Sequence, residues 1–336
     1  MAHTPNDGLV SENMSNSNGM IPVIFSKKVA LAFAKKSKVL DLLTNDYWEG
    51  EIEKEGDKVR IVFPDVNSVQ VVTGDACPEL QSVSASAVDM EINKQMSFAF
   101  AITDKEKAQT QFKNAEDAYA NITAQNIAIA RAKEIEQAVF NADTYDASTK
   151  PRGVYTIGTV ASPATGYDAQ NIYTLITQVK ERLIETGAVA EDGTYDMNPF
   201  SAEPEDGRGV LLVSNAFHTL LLNAYPIVQA TQSGDMIVKD GKVERVAGLE
   251  VHVDRLLASA LSTTDLPFIA GTKNAITKAQ QISMVETIRD PKCFQDIVRG
   301  MELYGYLILH PECLVRGVIE APSATKFAVP TVNVGE

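Results

Sequence analysis

Residues 88–141 read VDMEINKQMSFAFAITDKEKAQTQFKNAEDAYANITAQNIAIARAKEIEQAVFN, and their hydrophobic period changes halfway. Up to Ile102 the apolar residues alternate, at Val88, Met90, Ile92, Met96, Phe98, Phe100 and Ile102, as a strand with one buried face requires. Read as one strand, fifteen residues at ~3.3 Å each would reach ~50 Å, far beyond the common strand of ~5 to 6 residues. Thr103-Asp104-Lys105-Glu106 then forms a T-x-x-E capping box, and no glycine or proline follows before Pro151. The spacing predicts a helix from there to about Asn141, ~58 Å long at ~1.5 Å per residue. Its apolar stripe, from Phe112 through Tyr119, Ile122 and Ile129 to Ile135 and Val139, drifts around the helix without a strict heptad. Packing against a sheet is therefore expected, and not a coiled coil.

Upstream, Val59, Ile61 and Phe63 alternate in the same way, and Thr73 to Ala87 between the two runs is rich in small and turn-forming residues. The two runs predict a long hairpin that projects from its domain. Residues 1–20, with Asn13, Ser15, Asn16, Ser17, Asn18 and Gly19 in succession, have the composition of a flexible arm. From Pro22 to Leu43 apolar residues recur at helical spacing among Lys27, Lys28, Lys35, Lys36 and Lys38, which predicts a short amphipathic helix.

Downstream, 151–266 reads as a compact α/β domain. A helix is expected at Asn171 to Thr186, a buried strand at Gly209 to Val213, a helix near Ala216 to Ala224, and strands around the turn Asp240-Gly241. Gly187 to Gly207 has the composition of a surface loop. Alternation returns over Pro267 to Glu320, with Gly300 and Gly305 inside it, and the last 14 or so residues read as a tail.

The chain has 336 residues, enough for roughly two domains, and 30 basic against 44 acidic side chains give a formal net charge of −14. Such an anion does not present the field of Lys and Arg that a nucleic-acid partner requires. Cys77, Cys293 and Cys313 form no C-x-x-C pair, so neither a disulfide framework nor a zinc ribbon is expected, and a reducing cytosol is the natural compartment. No secretory signal and no apolar run long enough to cross a bilayer is read, so a soluble chain with no membrane partner is expected.

Catalytic signals are nearly absent: no G-x-G-x-x-G, P-loop lysine, G-x-S-x-G or H-E-x-x-H occurs. His310 and Cys313 stand at H-x-x-C spacing, but no second ligand pair is near, and packing at a strand end is the preferred reading. Glu49, Glu51, Glu53 and Glu55 would share one face of a strand, where a solvated edge or a salt-bridge strip to a neighbour is favoured over a cation site. The lysine run lacks interleaved aromatics, so pairing with acidic neighbours is preferred to nucleic-acid contact. The Asn121-Ile122-Thr123 sequon lies inside the expected helix and is discounted. No catalytic residue, cofactor or metal site is assigned, and the chain is not expected to be an enzyme.

The order of parts resembles the major capsid protein of tailed bacteriophages, the HK-type shell fold. The likeness is carried by Ile21 to Lys28 (IPVIFSKK), Asp46-Tyr47, Gly50 to Arg60 (GEIEKEGDKVR), Val246 to Val251 (VAGLEV) and Asp296 to Tyr306 (DIVRGMELYGY) leading to His310-Pro311. It covers roughly residues 20 to 320 and implies an α+β HK-type capsid fold. On it, 1–45 resembles the N-arm with a short helix, 46–102 the E-loop hairpin, 103–150 with 267–322 the P-domain and its spine helix, and 151–266 the α/β A-domain, with 323–336 a tail.

The resemblance implies a homo-oligomer of hexamers and pentamers, closing into an icosahedral head in the host cytoplasm around double-stranded DNA that it does not specifically bind. It places assembly contacts at Glu49, Glu51, Glu53, Glu55, Lys58, Arg60, Met96, Phe98 and Phe100 of the E-loop and at Lys27, Lys28, Lys35, Lys36 and Lys38 of the N-arm. In the P-domain it points to Arg299, Gly300, Tyr304 and Gly305. Portal and decoration proteins are implied partners. Some relatives weld their shells by a Lys to Asn isopeptide bond from the E-loop tip, but Thr73 to Ala87 contains no lysine, so that link is not carried over. Others carry a fused N-terminal scaffold; few residues precede the first helix here, and a separate scaffolding protein is expected. The rivals are an encapsulin-like cellular cargo compartment with the same shell fold and a soluble α/β enzyme built on 151–266.

Overall fold

A computed structural model describes residues 38–47, 58–64, 85–104, 115–149, 152–196, 206–224 and 243–321. The chain opens with helix α1 (Lys38–Leu42), strands β1 (Thr44–Asn45), β2 (Lys58–Pro64), β3 (Ala85–Glu91) and β4 (Lys94–Thr103), and the long helix α2 (Ala115–Asn141). Next come β5 (Tyr155–Ile157), α3 (Ile172–Glu185), β6 (Thr194–Asp196), β7 (Asp206–Arg208), β8 (Val210–Val213) and α4 (Asn215–Leu222). The last part holds β9 (Arg245–Val246), β10 (Leu249–Val253), α5 (Leu257–Ala260), β11 (Leu266–Gly271), β12 (Ile276–Arg289), β13 (Gln295–Ile308) and β14 (Leu314–Ile319). The chain divides into two units, one drawn from 92–128 and 280–304, the other from 37–91, 129–279 and 305–336.

In the larger unit a six-stranded sheet runs β5-β14-β11-β8-β10-β9. Strand β8 shows why the sequence makes it central. All four of its residues are buried, Leu211 and Val213 in one apolar cluster and Val210 and Leu212 in another. The first cluster joins α3, through Leu175, Ile176, Val179 and Leu183, to Phe217 and Leu221 of α4. The second joins Val39 and Leu40 of α1 to Ile135 and Val139 of α2 and Leu257 of α5. An unbroken apolar run is what a strand covered on both faces needs, and each fully buried large side chain contributes about 1.5 to 3 kcal/mol. The ends of α4 follow from chemistry: the Ser214 hydroxyl caps it by accepting from the Phe217 amide at 3.3 Å.

Several expectations change. The alternating run 88–102 is not one strand but two, because the chain leaves β3 at Glu91 and resumes at Lys94 in a different sheet. Met90, Ile92 and Ile102 are buried and the even positions between them half-buried, so the alternation keeps its phase across the break and hides it. β11 and β14, expected with the long helix in 267–322, pair with each other and with β8 and β5 of the α/β sheet. Six consecutive buried residues in each suit the middle of a covered sheet.

The surface loop expected at 187–207 contains the β6–β7 pair. The turn at Asp240-Gly241 lies outside the described residues; β9 and β10 instead flank Ala247-Gly248, where Gly248 has φ +90° and a Cβ would meet the Asp192 carbonyl oxygen at 2.7 Å. The helix ending at Asn141 agrees with expectation, and Asp104 is already helical, while 105–114 lie outside the described residues.

Candidate functional site

The β2–β3 hairpin is fixed by its alternation. Val59, Ile61 and Met90 are buried on one face, while Lys58, Arg60, Val62, Asp89 and Glu91 are exposed on the other. Lys58 stands directly opposite Glu91 and Arg60 opposite Asp89. The Lys58 ammonium donates to Glu91 at 2.5 Å, and the Arg60 guanidinium donates through Nε and Nη2 to both Asp89 oxygens at 2.8 and 3.0 Å. The hydrogen bond from Arg60 holds the Asp89 carboxyl below its ordinary range. Opposite charges directly across a strand pair pin the register and leave a ribbon with a charged face carrying exposed Val62.

In the smaller unit β4 pairs antiparallel with β13. This joins two expected sets of contacts that the sequence assigned to separate regions. Phe98 stands opposite Gly300, Ala99 opposite Arg299, Met96 opposite Glu302 and Lys94 opposite Tyr304. Met96, Phe98 and Phe100 therefore do not lie on the β2–β3 hairpin, as expected for an E-loop, because the break at 92–93 carries them into this sheet. The rings of Phe98 and Phe100 are stacked, 6.3 Å apart, as same-face residues two apart on a strand can be. Tyr304 and Gly305 are buried within β13.

A cleft of about 450 Å³ is lined by Ser97, Phe98, Ala99, Glu286, Arg299, Gly300 and Met301, and Arg299 donates to Glu286 beside it. At the edge of the same sheet Arg289 donates to Asp104 and, at 3.0 Å, to Asp296. The β12–β13 tip is ordered by Asp290, which accepts from the Lys292 amide at 2.8 Å and from Gln295 at 2.6 Å. That tip holds out Phe294, a residue 84% exposed.

Of the remaining expected residues, Glu49, Glu51, Glu53, Glu55, Lys27, Lys28, Lys35 and Lys36 lie outside the described residues. Lys38 begins α1 and is exposed. His310 Nδ1 lies 3.2 Å from Glu312. Burial pushes the Cys313 thiol up to about 11, which makes it a poor thiolate ligand.

One residue was missed. Arg316, in the buried strand β14, donates to the carbonyls of Val139 and, at 2.8 Å, Ala142, and to the hydroxyls of Thr144 and Thr156 at 3.0 Å each. It supplements the long 3.4 Å bond from the Ala142 amide to the Val139 carbonyl and supplies a donor to the Ala142 carbonyl just past the end of α2. A lone arginine inside the apolar run LVRGVI was the available signal.

No protein-family model and no curated protein sequence matches the chain. Solved structures do. One from Mycobacterium phage Che8 shares 19% identity and superposes with a TM-score of 0.63, over 94% of this chain and 96% of that one. The capsid structure of cyanophage P-SCSP1u matches at 12% identity and 0.61, over 83% and 86%. A virus-like particle from Pyrococcus furiosus matches at 12% and 0.50, over 88% and 98%. The chain therefore has the fold shared by these structures, an HK-type α+β fold.

Proposed function

We propose that the chain is the major shell subunit of a tailed-bacteriophage head, a structural protein and not an enzyme. The observation that carries this reading is the similarity to a phage structure over nearly the full length of both chains, at the highest TM-score reported above. The cargo-compartment reading has weaker support, because the phage structures superpose better than the virus-like particle. In this reading β2–β3 serves as the E-loop, the sheet of β4, β12 and β13 with α2 as the P-domain, and the six-stranded sheet with α3 and α4 as the A-domain.

Contacts between copies fall to Lys58 and Arg60 on the ribbon and, in the P-domain sheet, to Phe98, Phe100, Arg299 and Gly300 beside the cleft. The N-arm lysines Lys27, Lys28, Lys35, Lys36 and Lys38 and the glutamates Glu49, Glu51, Glu53 and Glu55 complete the set, with Met96, Tyr304 and Gly305 supporting the sheet that presents it. A separate scaffolding protein, a portal and decoration proteins are its partners. The shell, built in the host cytoplasm, encloses double-stranded DNA without gripping it, as an acidic subunit suits.

Electron microscopy with light scattering, on the chain alone and with the scaffold-like protein encoded beside it, tests this. Closed shells tens of nanometres across are expected with the scaffold. A persistent monomer or small oligomer in both conditions overturns the proposal, and efficient closure by the chain alone removes the separate scaffold.

A further inference from the structure

We propose that Glu136 is a proton-operated seat for the C-terminal half of α2: protonated, its carboxyl lies buried against the sheet-side segment at Asp254, and ionised, it loosens that half of the helix. Glu136 is 0% exposed, and neither of its carboxyl oxygens has a hydrogen-bond partner. Its helical neighbours Ala132, Ile135 and Val139 are buried as well, so the side chain sits on the core-facing side of α2 and not on a solvated one. Asp254, which follows β10 and is itself buried, lies near enough for its charge to act on Glu136, and it accepts from the Leu256 amide at 2.8 Å at the head of α5. The next residue, Gln137, ties α2 to α5 by donating to the Ala260 carbonyl at 2.8 Å. A carboxylate with no donor cannot stay in such a place, whereas the neutral acid can.

The charged and titratable groups around it do not relieve it. Burial and then the Asp254 charge raise Glu136 to about 8, against a smaller opposing effect of Lys133 on its own helix. Burial also raises Asp254, with Lys38 of α1 opposing. His218 of α4 and His252 of β10 are lowered, first by burial and then by Lys38, so they are neutral where Glu136 titrates. Arg316 is committed to the carbonyls and hydroxyls at the end of α2. The sign follows from linkage. The folded chain keeps the Glu136 proton that the unfolded chain releases above about 4.5, so the Glu136 contribution to stability declines from there up to about pH 8 and then levels, while the lowered His218 and His252 act the opposite way below about 6.5.

This inference stands whether or not the chain forms shells, and its test uses the unassembled full chain. Denaturation midpoints across that pH window are compared for wild type, Glu136→Gln and Asp254→Asn, together with hydrogen exchange over 132–141. The wild-type midpoint should fall with pH relative to that of Glu136→Gln. Exchange in that segment should rise on the order of tenfold above the window, after correction for intrinsic rates. Glu136→Gln should show no rise in exchange and a shallower decline, the remainder belonging to buried Asp254, and Asp254→Asn should end the decline at lower pH. Should Glu136→Gln not fold, the infrared carbonyl band of a protonated acid at neutral pH in the wild type, lost in Glu136→Ala, serves instead. Equal pH profiles for wild type and Glu136→Gln, or no such band, overturn the proposal. So does a profile that shifts with magnesium, since a cation and not a proton would then hold the pair.

Discussion

Arg316 is the residue on which the end of α2 depends, because its guanidinium donates to the Ala142 carbonyl and to the Val139 carbonyl, which otherwise accepts a long 3.4 Å bond from the Ala142 amide. Arg316→Met keeps the apolar stem and removes all of those donors, leaving the Ala142 carbonyl without its guanidinium partner and Val139 with the long bond from the Ala142 amide. A loss of about 2 to 4 kcal/mol is expected in urea denaturation of the unassembled chain, with a smaller loss for Arg316→Lys. An unchanged midpoint would show that water replaces the guanidinium. The adjacent Gly317 makes a different demand: a Cβ there would lie 2.4 Å from the Phe268 ring and 2.6 Å from the Ile157 carbonyl oxygen. Gly317→Ala must push β11 and β5 apart, and about 1 to 3 kcal/mol should be lost by the same measurement. Both effects arise from contacts across the sheet, which no spacing along β14 reveals.

At the scale of elements, the β2–β3 ribbon offers a test of whom its charges serve. Arg60→Glu sets two carboxylates opposite each other at position 89 and should lower shell yield, while adding Asp89→Arg restores the cross-strand pair. Recovery of shells in the double exchange means that the charges fix the hairpin's register. Failure to recover means that Arg60 or Asp89 faces a second copy. The β12–β13 tip is tested separately by Phe294→Ser, which should reduce assembly without moving the monomer's denaturation midpoint, since an 84% exposed residue contributes little to the fold.

These elements also mark how far the sequence could be read. The end of α2, the extents of α3 and β8, and the extended character of 267–320 were legible, because helical spacing, a buried apolar run and alternation are local signals. The division of 88–102 into β3 and β4 was not, since the even-numbered residues keep facing inward through the break. The pairing of β11 with β14 joins residues some fifty positions apart, and the meeting of Phe98 with Gly300 some two hundred apart; periodicity carries no partner information at any separation. The partners of Arg316 and Glu136 were illegible for the same reason, although a lone arginine inside the run LVRGVI marked Arg316 itself.

For the whole molecule, if the proposed shell forms, the formal charge of −14 becomes a property of the assembly. Copies packed side by side repel over a Debye length of about 10 Å at 0.1 M salt, and added salt screens that repulsion more than it weakens apolar contacts. Raising salt from about 0.05 M to about 0.5 M should therefore speed shell formation, followed by light scattering with the scaffold at fixed concentration. The opposite response has an equally definite meaning. Slower assembly at high salt would place the burden of association on complementary charges between copies, with exposed groups such as Lys58 and Arg60 exchanging or sharing the partners, Glu91 and Asp89, that they hold within one chain. Repeating the titration with Arg60→Ala separates the two cases. Screened repulsion predicts an unchanged or steeper salt response in the variant, because one positive charge has been lost, whereas inter-copy ion pairing predicts a flatter one.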